Sequence, residues 1–230
     1  CDRIRKIGHI EIAFNNFEVF RRKKSMSYKL FYDKGSAAQG VQMVLEELGQ
    51  PYELIQSTKD RSKPRPAEQL KVNPNGWVPV LMYGNTGIYE CAAITIFLCD
   101  RHSEKKLGPK ITDSSRGLFL QTLVYFSNSV QTAFQTNYYP DRFVDLPLDE
   151  DSAKRRGIRR LRETWGVIND QIGNNKWVLG DTFSAADLYL LMLTTWLAPD
   201  RGHPSVNEFS NVKRIADLVM ERPSAQFVYK

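Results

Sequence analysis

The stretch Asn73-Pro74-Asn75-Gly76-Trp77-Val78-Pro79-Val80-Leu81 decides the fold. Proline has no backbone N–H and holds the residue before it extended, so Pro79 can stand only at the edge or at the first position of the strand that the following apolar run predicts. Val78 should therefore be extended, with its amide and carbonyl free. A ligand peptide can pair with such a backbone as an added strand does.

A second part of the same predicted site is the segment Ile88-Tyr89-Glu90-Cys91-Ala92-Ala93-Ile94. A helix is expected to begin near Cys91, and the free amides of its first turn attract negative charge. The Glu90 carboxylate can hold a positive charge, although a carboxylate at a helix start is favourable whatever it binds. Together with Val78, these groups predict a site for a small charged peptide.

The composition is that of an ordinary globular protein: 230 residues, 42% hydrophobic and 25% charged. The sequence has no apolar run long enough to span a membrane and no secretory signal, so we expect a cytoplasmic protein without a membrane partner. Three cysteines, Cys1, Cys91 and Cys99, do not form a paired framework, which favours a reducing compartment. No metal-ligand cluster is visible, so no metal is expected.

The positive charge is concentrated at the start of the chain. Residues 1–25 carry seven Lys and Arg against three Asp and Glu, which leaves only +2 of the net +6 for the remainder. Without a basic stripe we expect no nucleic-acid partner. Because Met26 resembles an initiator methionine, residues 1–25 are interpreted as an upstream extension or cloning scar without fixed structure. A transit peptide is the alternative, which Glu11 and Glu18 disfavour.

Hydrophobic periodicity predicts a β-α-β unit followed by a β-hairpin and a helix in residues 26–101. The predicted strands are residues 28–32, 52–56, 78–82 and 86–89, and the first two should pair in parallel across a right-handed crossover. Two predicted helices follow the first and the last strand. This part of the chain is therefore expected to be an α/β domain.

After Arg101 the pattern becomes helical only. Residues 102–113 are expected to form a polar linker with Gly108 and Pro109. The helical periodicity of residues 114–230 predicts an all-α domain. Ser184 and Asp187 are spaced as a capping box, in which each side chain accepts a hydrogen bond from the backbone of the other position. A buried helix is expected to begin there.

Three motifs in this order resemble the cytosolic glutathione transferases, of bacterial type and without an assigned class. They are Asn73 to Leu81, Tyr89 to Ile94, and Gly180-Asp181-Thr182-Phe183-Ser184-Ala185-Ala186-Asp187. The resemblance spans residues 28 to about 225. It implies a thioredoxin-like N-terminal domain, an all-α C-terminal domain and a homodimer. It also implies glutathione as co-substrate and a small apolar electrophile as the second substrate, in a detoxification reaction.

The resemblance also implies roles for individual residues. Pro79 should be cis, the Val78 backbone should bind the cysteinyl part of glutathione, and Glu90 with Cys91 should receive the γ-glutamyl group. Trp77 belongs to the same predicted set. Two positions depart from the family: Cys91 stands where a serine is usual, and Trp77 stands where a Lys, Arg or Gln is common and cannot pair with the glycyl carboxylate. Three residues are candidates for that pairing instead: Arg61, Lys63 and Arg65.

The thiol-activating residue has two candidates, Ser36 and Tyr32. The family stabilises the glutathione thiolate with a Tyr, Ser or Cys near the end of the first strand, where a helix N-terminus adds positive charge. We favour Ser36 because it lies at the predicted helix start, where it could instead be a simple N-cap. Backbone amides or a residue of the second domain remain alternatives.

The second-substrate pocket is expected on the first long helix after the linker, where aromatic residues are frequent. Its predicted lining is Tyr125, Phe126, Tyr138 and Tyr139. Two other functions stay open: a glutathione-dependent reductase or isomerase that uses Cys91, and a non-catalytic binding module. Cys91 and Cys99 are otherwise expected to be packed core residues. The three histidines are expected to be exposed: His9, His102 and His203.

Overall fold

The computed structural model describes residues 27–230. Its N-terminal domain is a four-stranded sheet packed with helices. Its strands are β1 Tyr28–Tyr32, β2 Tyr52–Gln56, β3 Val80–Tyr83 and β4 Thr86–Tyr89. Its helices are α1 Ala38–Leu48, α2 Ala67–Val72 and α3 Cys91–Arg101. The interpretations of residues 1–25, Cys1 and His9 concern positions outside the described residues.

The sheet has the order β2-β1-β3-β4, with β1 parallel to β2 and antiparallel to β3. The predicted β-α-β unit and hairpin are therefore confirmed. β3 begins at Val80 rather than at residue 78, because Pro79 has no N–H with which to continue the ladder. Leu30 and Leu81 lie side by side in register and are completely buried in the core with Val44 and Ile94 of α1 and α3.

The regular elements of the C-terminal domain within the described residues are helices, as predicted; an isolated bridge between Trp177 and Gly180 lies in the loop before α7. Its helices are α4 Arg116–Tyr125, α5 Gln131–Tyr138, α6 Glu150–Ile172, α7 Ala185–Thr194, α8 Ser210–Met220 and α9 Pro223–Tyr229. A π-helical segment, Phe126–Val130, joins α4 to α5. In the part of the chain that the structure describes, no helix is both long enough and apolar enough to cross a membrane.

The predicted capping box at the start of α7 is present. Asp187 accepts hydrogen bonds from the Ser184 amide (2.8 Å) and hydroxyl (3.2 Å), and the Ser184 hydroxyl accepts one from the Ala186 amide. Asp187 also accepts a hydrogen bond of 2.8 Å from the Val178 amide. Since α7 is buried from Ala185 to Leu193, this carboxylate joins the loop before α7 to the centre of the domain.

The C-terminal helix α9 packs on α1 and so ends beside the N-terminal domain. Arg222 makes two hydrogen bonds of 2.7 Å to Glu47 of α1, and Ser224 donates a third to the same carboxylate. At the other end of α1, the side-chain amide of Gln39 donates a hydrogen bond to the Val228 carbonyl. The two domains are therefore joined through α1 and α9.

The expectation that His102 and His203 are exposed is wrong. His203 is 3% exposed and accepts a hydrogen bond from the Ala198 amide, while its other ring nitrogen contacts the Asn137 side chain. Burial lowers the pKa of its ring, which favours the neutral form. His102 is hydrogen-bonded to the hydroxyl of Tyr28. Both lie in polar stretches of sequence that fold back against aromatic rings, which local polarity cannot indicate.

Two glycines of α6 give a matched test of the contact between α5 and α6. A Cβ at Gly157 would lie 2.8 Å from the Asn137 amide nitrogen and 3.0 Å from the Ala133 carbonyl oxygen, whereas a Cβ at Gly166 would meet no atom within 4 Å. Gly157→Ala should therefore lower the free energy of unfolding by about 1–3 kcal/mol through overpacking. Gly166→Ala should raise it by about 0.5–1 kcal/mol, because alanine favours the helix. Urea unfolding measures both, and equal effects would contradict the close contact.

Candidate active site

A cavity of about 520 Å³ opens between the two domains. The N-terminal domain lines it with Ser36, Trp77, Val78, Pro79, Glu90 and Cys91. The structure thus brings together six of the residues that the sequence placed at the site. The opposite wall comes from α5, the turn after it, α7 and α9.

The loop before β3 presents its backbone to this cavity. The Val78-Pro79 peptide bond is cis, as the resemblance implied. The Gln69 and Asn73 side chains donate to the Trp77 carbonyl from behind the loop, and none of the described residues hydrogen-bonds to the amide or carbonyl of Val78. Val78 therefore offers one free donor and one free acceptor to an extended peptide.

Glu90 stands at the start of α3 with φ of 73° and ψ of 116°, a conformation that costs a residue with a side chain about 1–3 kcal/mol. Its side chain is exposed, and no cation of the described residues lies within salt-bridge distance. Such strain is concentrated at binding sites because the surrounding structure maintains it for function. An exposed carboxylate without a cation among the described residues can accept hydrogen bonds from an ammonium group.

Cys91 contributes to the wall of the cavity as a protonated thiol. It is 4% exposed, and its sulfur lies 3.5 Å from the Ala37 carbonyl, to which the thiol donates. Burial raises its pKa to about 12. Because the thiolate is the reactive form, this environment disfavours redox chemistry at Cys91. Cys99 is buried as well, so both cysteines are packed as expected.

Ser36 lies at the bottom of the cavity, immediately before α1. Its hydroxyl donates to the Asp33 carbonyl at 2.6 Å and accepts the Ala38 amide at 3.3 Å. The N-cap of α1 is Ala37, so Ser36 is not the N-cap; its hydroxyl accepts the first amide of the helix and it also lines the cavity. The Ala37 amide, beside it, has no hydrogen-bond acceptor among the described residues. Tyr32 does not line the cavity, because it lies on β1 before the turn that leads to α1.

The helical wall departs from the predicted aromatic pocket in two of four residues. Tyr138 and Tyr139 line the cavity, with Tyr138 donating to the Trp196 carbonyl. Tyr125 and Phe126 do not line it. They precede α5, whose cavity face is set by Gln131, Phe134, Gln135 and Tyr138 at helical spacing. Phe126 is fully buried against Tyr189, and Tyr125 lies near Arg160 and Glu163 of α6.

The lining residues that were not identified from the sequence include Arg142, Trp196 and Tyr229. Each has a buried polar atom with no hydrogen-bond partner among the described residues, namely Arg142 Nε, Trp196 Nε1 and the Tyr229 hydroxyl. Buried polar groups are almost always paired, so unpaired donors beside a cavity are available to hydrogen-bond a ligand. No local motif marks these residues, since each reaches the site only through the packing of the helical domain.

Of the three basic residues considered for a carboxylate, only Arg65 lines the cavity. It donates to the Gly76 carbonyl. Arg61 pairs with Asp141 and Lys63 with Asp60. Within residues 27–230, no group of three or more His, Cys, Asp or Glu side chains is placed to hold a metal ion.

Family comparisons agree with this architecture. Residues 30–106 match the N-terminal domain of glutathione S-transferases, and residues 138–223 match the C-terminal domain of the same family. The chain belongs to the glutathione S-transferase family. Both the predicted family and the predicted thioredoxin-like and helical domains are confirmed. As a family member the protein is a glutathione transferase, of unassigned class.

Individual relatives are distant but align over almost their whole length. Glutathione S-transferase GstA of Escherichia coli O157:H7 is 24% identical over 202 residues, which cover 86% of this chain and 95% of the relative. A glutathione transferase homologue from Sulfitobacter with bound glutathione superposes with a TM-score of 0.79 at 20% identity, covering 88% of this chain and 97% of the homologue. A glutathione transferase from Methylococcus capsulatus superposes with a TM-score of 0.74 at 24% identity, covering 87% of this chain and 96% of that transferase.

Proposed function

We propose that the protein conjugates the thiolate of glutathione to small apolar electrophiles. The observation that carries this proposal is the free Val78 backbone, which faces the same cavity as Ser36 and the start of α1. Val78 would pair with the cysteinyl backbone and Glu90 would receive the γ-glutamyl ammonium. The sulfur would then lie near the Ser36 hydroxyl and the free Ala37 amide. This proposal is supported by the glutathione-bound Sulfitobacter homologue, which has the same fold.

The reaction would begin when the thiol loses its proton to water. The Ser36 hydroxyl and the Ala37 amide would donate hydrogen bonds to the resulting thiolate, and the partial positive charge at the N-terminus of α1 would add to them. The thiolate would attack the electrophilic carbon, form a carbon–sulfur bond and displace the leaving group with its electron pair. Phe134, Tyr138 and Trp196 would hold the apolar part of the electrophile.

A thiolate titration tests this function. The ultraviolet absorption of bound glutathione should show a thiol pKa well below the value of about 8.5 for a free thiol. The protein should also convert a chlorodinitrobenzene to its glutathione conjugate. If glutathione binds with no shift of its thiol pKa and no conjugate forms, the protein is a binding module.

One observation favours that binding module as the second candidate. The Ser36 hydroxyl hydrogen is directed to the Asp33 carbonyl, so it must rotate before it can donate to a thiolate. The reductase or isomerase alternative has less support, because the Cys91 thiol is buried with a raised pKa. The homodimer, the cytoplasmic location and the role in detoxification stay predictions.

A further inference from the structure

A buried tyrosine joins the two walls of the cavity from behind. Tyr189 lies on α7, is 2% exposed and is not part of the cavity lining. Its hydroxyl donates a hydrogen bond to the side-chain oxygen of Gln131 on α5, and it lies beside the sulfur of Cys91 at the start of α3. Gln131 and Cys91 both line the cavity. One buried hydroxyl therefore contacts a lining residue from each domain.

The contact with Tyr189 sets the orientation of the Gln131 amide. Burial raises the pKa of Tyr189, so its hydroxyl stays protonated and acts as a donor. A donor in that position holds the amide oxygen and directs the amide nitrogen away from Tyr189. That nitrogen donates to none of the other described residues. The ring of Tyr189 packs on Phe126 with 5.5 Å between ring centres, so Gln131 keeps a free and oriented N–H at the cavity wall.

Gln131 lies at the end of the α5 face that points towards the proposed reaction centre. The Cys91 thiol, on the other side of the shared hydroxyl, donates to the carbonyl of Ala37 at the start of α1. The aromatic lining residues of α5 follow one and two turns further along the helix, at Phe134 and Tyr138. An electrophile held by these two rings would therefore bring its reacting carbon towards the amide of Gln131.

We propose that Tyr189 is a positioning residue, which holds the Gln131 amide so that its N–H donates to an oxygen beside the attacked carbon of the electrophile. This inference rests on the proposed function and favours electrophiles whose oxygen gains negative charge as sulfur adds. In a chlorodinitrobenzene the thiolate forms the carbon–sulfur bond, and an electron pair of the ring moves onto a nitro oxygen. The pair returns to the ring when chloride leaves with the electrons of the carbon–chlorine bond. An N–H at the nitro oxygen stabilises this intermediate, because the hydrogen bond strengthens as the charge develops.

The test compares two substrates that release the same leaving group. A chlorodinitrobenzene has a nitro oxygen beside the attacked carbon, whereas benzyl chloride has no oxygen. Gln131→Leu should lower kcat/KM about 10-fold for the chlorodinitrobenzene and less than about 2-fold for benzyl chloride. Tyr189→Phe, which keeps the buried ring, should lower the first value about 3- to 10-fold and leave the second nearly unchanged. Thermal unfolding of each variant checks that the fold is retained.

A double variant separates positioning from a general structural role. If Tyr189 acts through Gln131, adding Tyr189→Phe to Gln131→Leu should cause no further loss of kcat/KM for the chlorodinitrobenzene. Thr136→Val is the matched control, because it removes a hydroxyl of α5 that lies outside the cavity lining, and it should affect neither substrate. The thiol pKa of bound glutathione should keep its parent value in all of these variants.

The possible outcomes separate the inference from the proposed function. A loss of equal size for both substrates, or a further loss in the double variant, would mean that the Tyr189 hydroxyl only supports the core. A raised thiol pKa in Gln131→Leu would mean that the amide donates to the sulfur. In either case, or if the parent conjugates benzyl chloride alone, the inference fails and the proposed function stands. If the parent conjugates neither substrate, the proposed function fails with it.

Discussion

Replacing Asp187 with alanine is expected to lower the free energy of unfolding by about 2–4 kcal/mol at neutral pH. The carboxylate is completely buried and accepts the amides of Val178 and Ser184 as well as the Ser184 hydroxyl. Alanine leaves these donors unpaired in the core, and each unpaired buried donor costs about 1–3 kcal/mol. Thermal and urea unfolding would measure the loss.

Ser184→Ala is the matched control, because it removes the cap of α7 while the bond from Val178 to Asp187 stays. This substitution should lower the free energy of unfolding by about 0.5–2 kcal/mol. A loss for Asp187→Ala no greater than for Ser184→Ala would mean that the link to Val178 contributes nothing.

The pH dependence of the same variant gives a second readout. Burial raises the pKa of Asp187 to about 6 from 3.8, although four hydrogen bonds, from Val178, Ser184 (two) and its own backbone, oppose the rise. A raised pKa means that the folded state binds the proton more tightly than the unfolded state does. The stability that the folded state gains from binding this proton is therefore complete below about pH 4, and it is lost as the pH rises through about 6. The difference in unfolding free energy between parent and Asp187→Ala should grow as the pH is lowered from about 7 to about 4.

The fold was largely predictable because its signals are local. Alternating and helical periodicity predicted β1, β2, the hairpin and α1, and the capping box predicted the start of α7. Both patterns depend on residues a few positions apart, which the sequence displays directly. His203 was misjudged for the opposite reason: its burial depends on Asn137 and Phe134, which are distant in the sequence.

The candidate site divides in the same way. The half on the N-terminal domain was predictable, because Val78 and Glu90 belong to continuous motifs that meet on adjacent strands. The helical half was not. Tyr125 and Phe126 precede α5, whose residues form the cavity face, and they lie outside the lining. Tyr229 reaches the site only because α9 packs on α1.

The second large effect is expected for Ser36→Ala, which should raise the thiol pKa of bound glutathione towards about 8.5 and lower kcat/KM about 10- to 100-fold. The hydroxyl lines the cavity beside the start of α1, and a hydrogen bond to a charged group contributes about 1.5–3 kcal/mol. Glutathione affinity should change little, because Val78 and Glu90 hold the peptide. The thiolate absorption and steady-state conjugation rates measure the two quantities.

Two variants decide between Ser36 and its alternatives. Tyr32→Phe should leave the thiol pKa unchanged, because Tyr32 lies outside the cavity lining. Tyr229→Phe removes a buried hydroxyl on the cavity wall that has no hydrogen-bond partner within residues 27–230. If this variant raises the thiol pKa while Ser36→Ala does not, the activating group comes from the helical domain. If neither variant changes it, the free Ala37 amide and the N-terminus of α1 stabilise the thiolate, and the Ser36 hydroxyl serves only to accept the first amide of that helix.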